Sequence, residues 1–224
     1  MKDIFLLDAD ETLLDFRRGE REQLTKTLNA FGVVVSEEMI SRFHEINDAL
    51  WKMLEQGKTT RKFLVVERFR LLFERFSIQA DAQKAAPLYF SLMKNSTYLL
   101  DGALDFLALL KERGRVYIVT NGTAEVQRHR LLGSGILKFS DKVFISEEVG
   151  ADKPAEAFAK YVEEHIPDYA RGRAVWLGDS LTSDMLCAAS RGIDFVLFQR
   201  SRPEGYAGAF AASYGEAVKL FEEM

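Results

Sequence analysis

The sequence predicts an α/β protein with a parallel sheet between two layers of helices and a helical segment inserted after the first strand. Three observations predict this class. From about residue 96 onward, apolar runs of strand length alternate with amphipathic helical segments. A further apolar run of strand length opens the chain at residues 3–8. Between them, residues 16–95 show helical spacing of apolar residues and no convincing strand.

The inserted segment predicts about four helices. Apolar residues recur at helical spacing in two of its stretches, residues 43–54 and 63–76. Gly32, Gly57 and the stretch 77–80 interrupt these runs and mark the turns between helices.

Helices and strands then alternate to the end of the chain. The predicted helices lie at residues 103–113, 126–132, 154–165, 181–191 and from about 215 onward. The predicted strands lie at residues 116–119, 143–145, 174–177 and 195–198. The helix at 154–165 is expected to carry Pro154 in its first turn, where the missing amide hydrogen costs nothing.

Composition limits the possible functions. The 224 residues are 47% hydrophobic and 29% charged, as in a globular protein. The formal net charge of −4 gives no electrostatic case for a nucleic acid polymer as partner. No apolar stretch is long enough to span a membrane. The single cysteine, Cys187, excludes an intrachain disulfide and fits a reducing compartment, so we expect a cytoplasmic protein.

Polar residues follow four of the predicted strands. Asp8 and Asp10 follow the first strand and Thr120-Asn121 the second, Lys153 lies downstream of the third, and Asp179 and Asp184 follow the fourth. In an open parallel sheet the carboxyl ends of the strands form the ligand site. Two like charges as close as Asp8 and Asp10 also need a cation or hydrogen bonds to compensate them.

Each of these signals has a structural explanation when it is taken alone. Asp8 and Asp10 are common residue types in the turn after a strand. Asp179 has the position of a helix N-cap, Thr120-Asn121-Gly122 resembles an ordinary turn, and Lys153 resembles a solvated surface lysine. The convergence of four strand ends on one set of complementary groups favours a functional site.

The four motifs together resemble the haloacid dehalogenase-like superfamily. They are Asp8-Ala9-Asp10-Glu11-Thr12, Thr120-Asn121-Gly122, Lys153 before Pro154, and the run Gly178–Asp184. The resemblance implies a Rossmann-like three-layer core at residues 1–15 and 96–224, with a C1-type helical cap at 16–95. The phrases around the first, second and fourth motifs are most similar to the house-cleaning nucleotidases, often described as pyrimidine 5'-nucleotidases.

This resemblance implies roles for individual residues. Asp8 is the expected nucleophile, Asp10 the general acid and base, and Thr120 and Lys153 complete the catalytic set. Thr120, Asn121, Gly122 and Lys153 would bind the phosphoryl oxygens. Mg²⁺ would be held by Asp8, the backbone carbonyl of Asp10, and Asp179. Asp184 would support a metal-bound water or Lys153, and Thr12 would fix the turn after the strand.

The expected function is Mg²⁺-dependent hydrolysis of a small phosphorylated metabolite through an aspartyl phosphate, with nucleoside 5'-monophosphates as the first substrates to consider. A sugar-phosphate or phosphoglycolate phosphatase is the alternative within the superfamily. A dehalogenase is disfavoured because its chemistry needs no acid at Asp10. A phosphoglucomutase-type mutase and a catalytically silent binding protein on the same fold are further alternatives. The sequence leaves the oligomeric state open.

Overall fold

The computed structural model describes residues Met1–Met224 and contains a six-stranded sheet. The strands are β1 (Ile4–Leu7), β2 (Arg115–Thr120), β3 (Lys142–Ile145), β4 (Ala174–Gly178), β5 (Asp194–Phe198) and β6 (Phe210–Ala211). They lie in the order β3-β2-β1-β4-β5-β6, and every neighbouring pair is parallel. The first strand of the chain is therefore at the centre of the sheet, with β2 and β4 on its two sides.

The chain contains ten α-helices. They are α1 (Phe16–Ala30), α2 (Glu37–Glu55), α3 (Arg61–Arg75), α4 (Ala82–Met93), α5 (Ala103–Arg113), α6 (Ala124–Gly133), α7 (Ser146–Val149), α8 (Glu156–Glu164), α9 (Asp184–Ser190) and α10 (Tyr214–Glu223). Two short 3-10 helices lie at Ile136–Lys138 and Arg171–Arg173. The fold class expected from the sequence is confirmed. None of the helices combines the length and hydrophobicity that spanning a membrane would require.

The chain divides into two compact units, one formed by residues 1–15 and 98–224 and the other by residues 16–97. In the first unit, successive residues of β1 point to opposite faces of the sheet. Phe5 and Leu7 belong to the apolar cluster that includes side chains of α5, α6 and α10. Ile4 and Leu6 belong to a second cluster with side chains of α8 and α9. A strand buried on both faces explains the uninterrupted apolar run of β1.

The second unit consists of α1 to α4 and has its own core. Phe43, Phe69 and Tyr89 form an aromatic cluster with ring centroids 5.1–5.5 Å apart. The guanidinium of Arg68 lies 4.6 Å from the Tyr89 ring centroid. Ser36, Thr60 and Asp81 cap the N-termini of α2, α3 and α4 by accepting hydrogen bonds from backbone amides.

Two predicted helices begin later than expected. Pro154 is not in the first turn of α8, because residues 152–155 form a turn closed by the Ala155 amide on the Asp152 carbonyl (2.9 Å); the Lys153–Pro154 bond in this turn is cis. The helix predicted from residue 181 begins at Asp184, since the preceding residues form a loop organised by Ser180. No sequence pattern had predicted the two-residue strand β6 or the four-residue helix α7.

Candidate active site

Asp8 lies at the carboxyl end of the central strand. Its amide continues the β-ladder by donating to the Leu177 carbonyl at 2.9 Å, and its side chain is buried. The chain then turns sharply, since the Leu13 and Leu14 amides both donate to the Ala9 carbonyl at 2.9 and 2.8 Å. Glu11 adopts a left-handed conformation in this turn (φ 57°), which is uncommon for a residue with a side chain. This turn carries Asp10.

Lys153 connects three of the strand ends. Its buried ammonium donates to Asp8 Oδ1 at 2.6 Å, to Asp184 Oδ1 at 2.7 Å and to the Val119 carbonyl at 2.9 Å. An ammonium has three donors, so all of them are used. The backbone of Lys153 is fixed by the Asn121 side chain, which donates to its carbonyl at 2.8 Å and accepts from its amide at 2.9 Å.

Asp184 lies against the end of β4. Its Oδ1 accepts from Trp176 Nε1 at 3.2 Å, and its Oδ2 accepts from the Ser180 amide at 3.2 Å. A Cβ atom at Gly178 would come within 2.4 Å of the Asp184 carboxyl carbon. Glycine at position 178 is therefore required for the buried Asp184 carboxylate to lie beside Lys153.

Asp8, Asp179 and Asp184 form a group of carboxylates that can hold a metal ion. One oxygen from each lies within 4.8 Å of the others. The Asp179 backbone is fixed by Gln199, whose Nε2 donates to its carbonyl at 2.6 Å. Carboxylate and carbonyl oxygens are the ligands that Mg²⁺ prefers. One ammonium among three carboxylates also leaves the group short of positive charge, so this donor set fits a hard divalent cation.

The electrostatics reflect this shortage of positive charge. Burial raises the pKa of Asp8 to about 7 and the nearby Asp184 carboxylate adds to the rise, although Lys153 counteracts both. Burial, followed by repulsion from Asp8 and Asp184, also raises the pKa of Asp179 well above its ordinary value. Burial alone would lower the pKa of Lys153, but Asp184 and Asp8 together raise it above the ordinary value. The two carboxylates therefore favour the charged form of Lys153.

Thr120 and Asp10 are joined by a side chain of α6. Gln127 Nε2 donates to Thr120 Oγ1 at 2.7 Å and to Asp10 Oδ2 at 3.0 Å. Arg130 Nη1 lies 2.7 Å from Asp10 Oδ1 and donates to Gln127 Oε1 at 2.9 Å. Gln127 and Arg130 are both buried. Gly122 packs against Gln127, because a Cβ atom at position 122 would lie 2.7 Å from Gln127 Cγ.

Thr12 is buried, and its backbone carbonyl accepts a hydrogen bond that connects two elements of the fold. The Tyr214 hydroxyl donates to the Thr12 carbonyl at 2.8 Å, which ties the turn after β1 to α10. The Thr12 hydroxyl has no hydrogen-bond partner in the structure. The expectation that Thr12 fixes the turn stays a prediction.

The structure brings the side chains of Asp8, Lys153 and Asp184 into direct contact and places Asp179 beside them. The catalytic, phosphate-binding and metal-binding roles of these residues stay predictions. Sequence reasoning missed four side chains that hold the predicted ones in place, namely Trp176, Gln199, Gln127 and Arg130. It predicted Asn121 as a phosphate-binding residue through its backbone amide, and it missed the hydrogen bonds of the Asn121 side chain to Lys153. Gln127 and Arg130 occupy the i and i+3 positions of a helix, a spacing that solvated polar faces share.

A family model describing haloacid dehalogenase-like hydrolases matches residues 2–192. HAD-hydrolase YfnB of Bacillus subtilis is 33% identical over 189 residues, which cover 84% of this chain and 80% of YfnB. The crystal structure of YfnB bound to magnesium has a TM-score of 0.90 and 29% identity, with 98% of both chains covered.

Two further relatives have names that state an activity. Pyrimidine 5'-nucleotidase PynA of Streptococcus pneumoniae is 34% identical over 205 residues, covering 91% of this chain and 86% of PynA. Ribulose-1,5-bisphosphate 5-phosphatase of Halopiger xanaduensis is 27% identical over 203 residues, covering 88% of this chain and 84% of that protein. The extent of the family match and the identity to YfnB and PynA lead to one conclusion: this chain belongs to the haloacid dehalogenase-like hydrolases.

Proposed function

We propose that the protein is a Mg²⁺-dependent phosphomonoesterase that hydrolyses a small phosphorylated metabolite, with nucleoside 5'-monophosphates as the first choice of substrate. The observation that carries this proposal is the contact between Asp8 and Lys153, 2.6 Å apart at the end of the central strand, beside Asp179 and Asp184. A carboxylate nucleophile must approach an anionic phosphoryl group. Lys153 supplies part of the positive charge that this approach requires, and a bound Mg²⁺ would supply the rest.

In the first step, a carboxylate oxygen of Asp8 forms a bond to phosphorus while the bond from phosphorus to the ester oxygen breaks. Asp10 donates a proton to the departing oxygen, so the product leaves as an alcohol. Lys153 contacts Asp8 directly and offsets negative charge on Asp8 and on the phosphoryl group. The product of this step is an aspartyl phosphate.

In the second step, a water oxygen forms a bond to phosphorus and the bond from phosphorus to Asp8 breaks. Asp10, which lost its proton in the first step, takes one from this water. Inorganic phosphate leaves and Asp8 returns to its carboxylate form. The placement of Asp10 two residues beyond the nucleophile allows one carboxyl to serve both steps.

The phosphoryl oxygens need hydrogen-bond donors. The Thr120 hydroxyl and the backbone amides of Asn121 and Gly122 are assigned this role. When bound, Mg²⁺ supplies charge neutralisation for Asp8 and the phosphoryl oxygens. Its ligands would be the Asp8 carboxylate, the Asp10 carbonyl and Asp179. Asp184 supports the site by orienting Lys153, whose Nζ donates a hydrogen bond to Asp184 Oδ1 at 2.7 Å.

The substrate assignment to nucleoside 5'-monophosphates is supported by the similarity to PynA. A sugar-phosphate phosphatase is the alternative, and it is favoured by the similarity to the ribulose-1,5-bisphosphate 5-phosphatase. Asp8, Asp179 and Asp184 are compatible with both substrate classes, because they would act on the phosphoryl group that nucleotides and sugar phosphates share. A dehalogenase needs no proton carrier at position 10, so Asp10 favours the phosphatase.

Hydrolysis of p-nitrophenyl phosphate, with Mg²⁺ and with EDTA, tests the reaction class. We expect activity in Mg²⁺, loss of activity in EDTA, and loss of activity in Asp8→Asn. Asp105→Asn is the matched control, since it makes the same change at an exposed carboxylate in the first turn of α5. Wild-type inactivity in both conditions would overturn the proposal and favour a binding protein on this fold.

A screen of nucleoside monophosphates against sugar phosphates and phosphoglycolate tests the substrate class. We expect the highest kcat/KM for pyrimidine nucleoside 5'-monophosphates. Turnover of sugar phosphates without turnover of any nucleotide would transfer the assignment to the alternative.

A further inference from the structure

The buried pair Gln127 and Arg130 on α6 contacts two residues of the proposed reaction at once. Arg130 Nη1 lies 2.7 Å from Asp10 Oδ1, an ion-pair contact in which Oδ1 accepts no hydrogen bond, and Gln127 Nε2 donates to Asp10 Oδ2 at 3.0 Å. Gln127 also donates to the Thr120 hydroxyl oxygen at 2.7 Å. A buried arginine costs free energy unless its charge is paired, so a simple packing role does not account for its placement.

We infer that Gln127 and Arg130 are positioning residues, which hold the Asp10 carboxyl at the leaving-group oxygen and aim the Thr120 hydroxyl proton at the phosphoryl group. This inference rests on the proposed phosphatase function. The pair touches no reacting atom itself. Its effect is exerted through Asp10 and Thr120, which lie on the loop after β1 and at the end of β2.

The orientation of the Gln127 amide follows from its neighbours. Arginine has only hydrogen-bond donors, so the Gln127 oxygen must face Arg130, and it accepts from Nη1 at 2.9 Å. The amide nitrogen then faces Asp10 and Thr120, and its two hydrogens serve one residue each. Removal of Arg130 would therefore release the amide as well as the carboxylate.

The same orientation determines what Thr120 can donate. Because Thr120 Oγ1 accepts from Gln127, its own hydrogen must point elsewhere. In the structure the only acceptor for it is the Asn121 carbonyl, at a long 3.5 Å. A phosphoryl oxygen would be a better acceptor, since hydrogen bonds to anions are shorter and stronger.

The geometry of the pair is fixed by packing. The Gln127 side chain packs directly against Gly122. A Cβ atom at position 122 would lie only 2.7 Å from Gln127 Cγ, so only glycine fits beside it. Both side chains of the pair are buried. In contrast, Arg128, which lies between them in the sequence, is exposed and pairs with Glu148.

The test compares esters whose leaving groups differ in their need for a proton. Arg130→Gln and Gln127→Ala are assayed on p-nitrophenyl phosphate, whose leaving group departs as an anion, and on a nucleoside 5'-monophosphate or another alkyl ester that the wild type turns over. The readout is kcat/KM, because it reports phosphoryl transfer to Asp8 and is independent of the later hydrolysis. Arg128→Gln is the matched control.

For Arg130→Gln we expect kcat/KM on the alkyl ester to fall about 100-fold, the lower range for loss of a placed general acid, and to fall only about threefold on p-nitrophenyl phosphate. Gln127→Ala should lower kcat/KM on both esters, because Thr120 serves every substrate. The decrease should be larger on the alkyl ester than on p-nitrophenyl phosphate. Arg130→Lys should restore part of the alkyl activity. Arg128→Gln should match the wild type on both.

Equal losses on both esters in Arg130→Gln, or no loss on either, would overturn the inference while leaving the phosphatase intact. If Arg130→Gln fails to fold, Gln127→Ala decides the question. Its kcat/KM should then fall by a larger factor on the alkyl ester than on p-nitrophenyl phosphate, and equal factors would overturn the inference. An inactive wild type, or an active Asp8→Asn, would instead overturn the proposed function.

Discussion

Replacement of Lys153 by methionine removes the one positive charge among three carboxylates while keeping a side chain of similar length. The wild-type ammonium makes three hydrogen bonds of 2.6–2.9 Å and is buried. In the variant, Asp8 and Asp184 would face each other without a counterion. Because the two carboxylates are buried, water cannot replace the lost partner.

Loss of one partner of a buried ion pair costs about 3–5 kcal/mol of unfolding free energy. We expect the lower end, about 3 kcal/mol, because Asp8 already has a pKa raised to about 7 and can relieve the repulsion by taking up a proton. Lys160→Met is the control. Lys160 is exposed and 3.8 Å from Glu164, so its loss should change stability by less than about 0.5 kcal/mol.

Urea unfolding in EDTA measures the effect, in a Trp51→Phe background that leaves Trp176 as the only tryptophan. Trp176 Nε1 donates to Asp184, so its fluorescence reports on this unit of the protein. The double variant Lys153→Met/Asp184→Asn should recover part of the loss, because it removes one uncompensated charge. A Lys153→Met protein as stable as Lys160→Met would refute the electrostatic reasoning.

Three other predictions concern single side chains. In Gly178→Ala the added methyl would collide with Asp184, so we expect Mg²⁺ to raise the melting temperature of the wild type but not of this variant; an equal rise in both would contradict the need for glycine. Burial raises the pKa of Cys187 to about 12, so its thiol should resist Ellman's reagent at pH 8 until urea is added, and rapid native labelling would contradict this. The hydrogen bond to Glu20 raises the pKa of His44, so its stabilising effect is complete below the unfolded pKa near 6.5 and is lost as pH rises through the folded value. His44→Gln should therefore cost about 1 kcal/mol at pH 6 and less at pH 9, measured by urea unfolding, and a larger cost at pH 9 would contradict the sign.

The strands and helices around the sheet were predictable from the sequence only in part. Buried parallel strands such as β1 and β4 are continuous apolar runs with polar residues directly after them, which is a strong local signal. The starts of α8 and α9 were predicted too early, because Pro154 and Ser180 belong to turns that are fixed by hydrogen bonds rather than by periodicity. The two-residue strand β6 is too short to have a period.

The candidate site divides in the same way. Asp8, Lys153 and Asp179 follow strands, so the topology alone brings them to one edge of the sheet. Gln127 and Arg130 do not follow a strand, and their positions depend on which face of α6 packs inward. That face has few apolar residues, and a buried polar pair has the same sequence pattern as a solvated one. Its recognition required the side-chain contacts.

Trapping of the covalent intermediate tests the central claim most directly. Wild-type protein is mixed with a labelled phosphomonoester that it hydrolyses, quenched with acid within a single turnover, reduced with borohydride and digested for mass spectrometry. Reduction converts an acyl phosphate to an alcohol, so we predict homoserine at position 8 and unmodified aspartate at positions 10, 179 and 184. Rapid hydrolysis with no reduced residue at position 8 would contradict the assignment of Asp8 as the nucleophile.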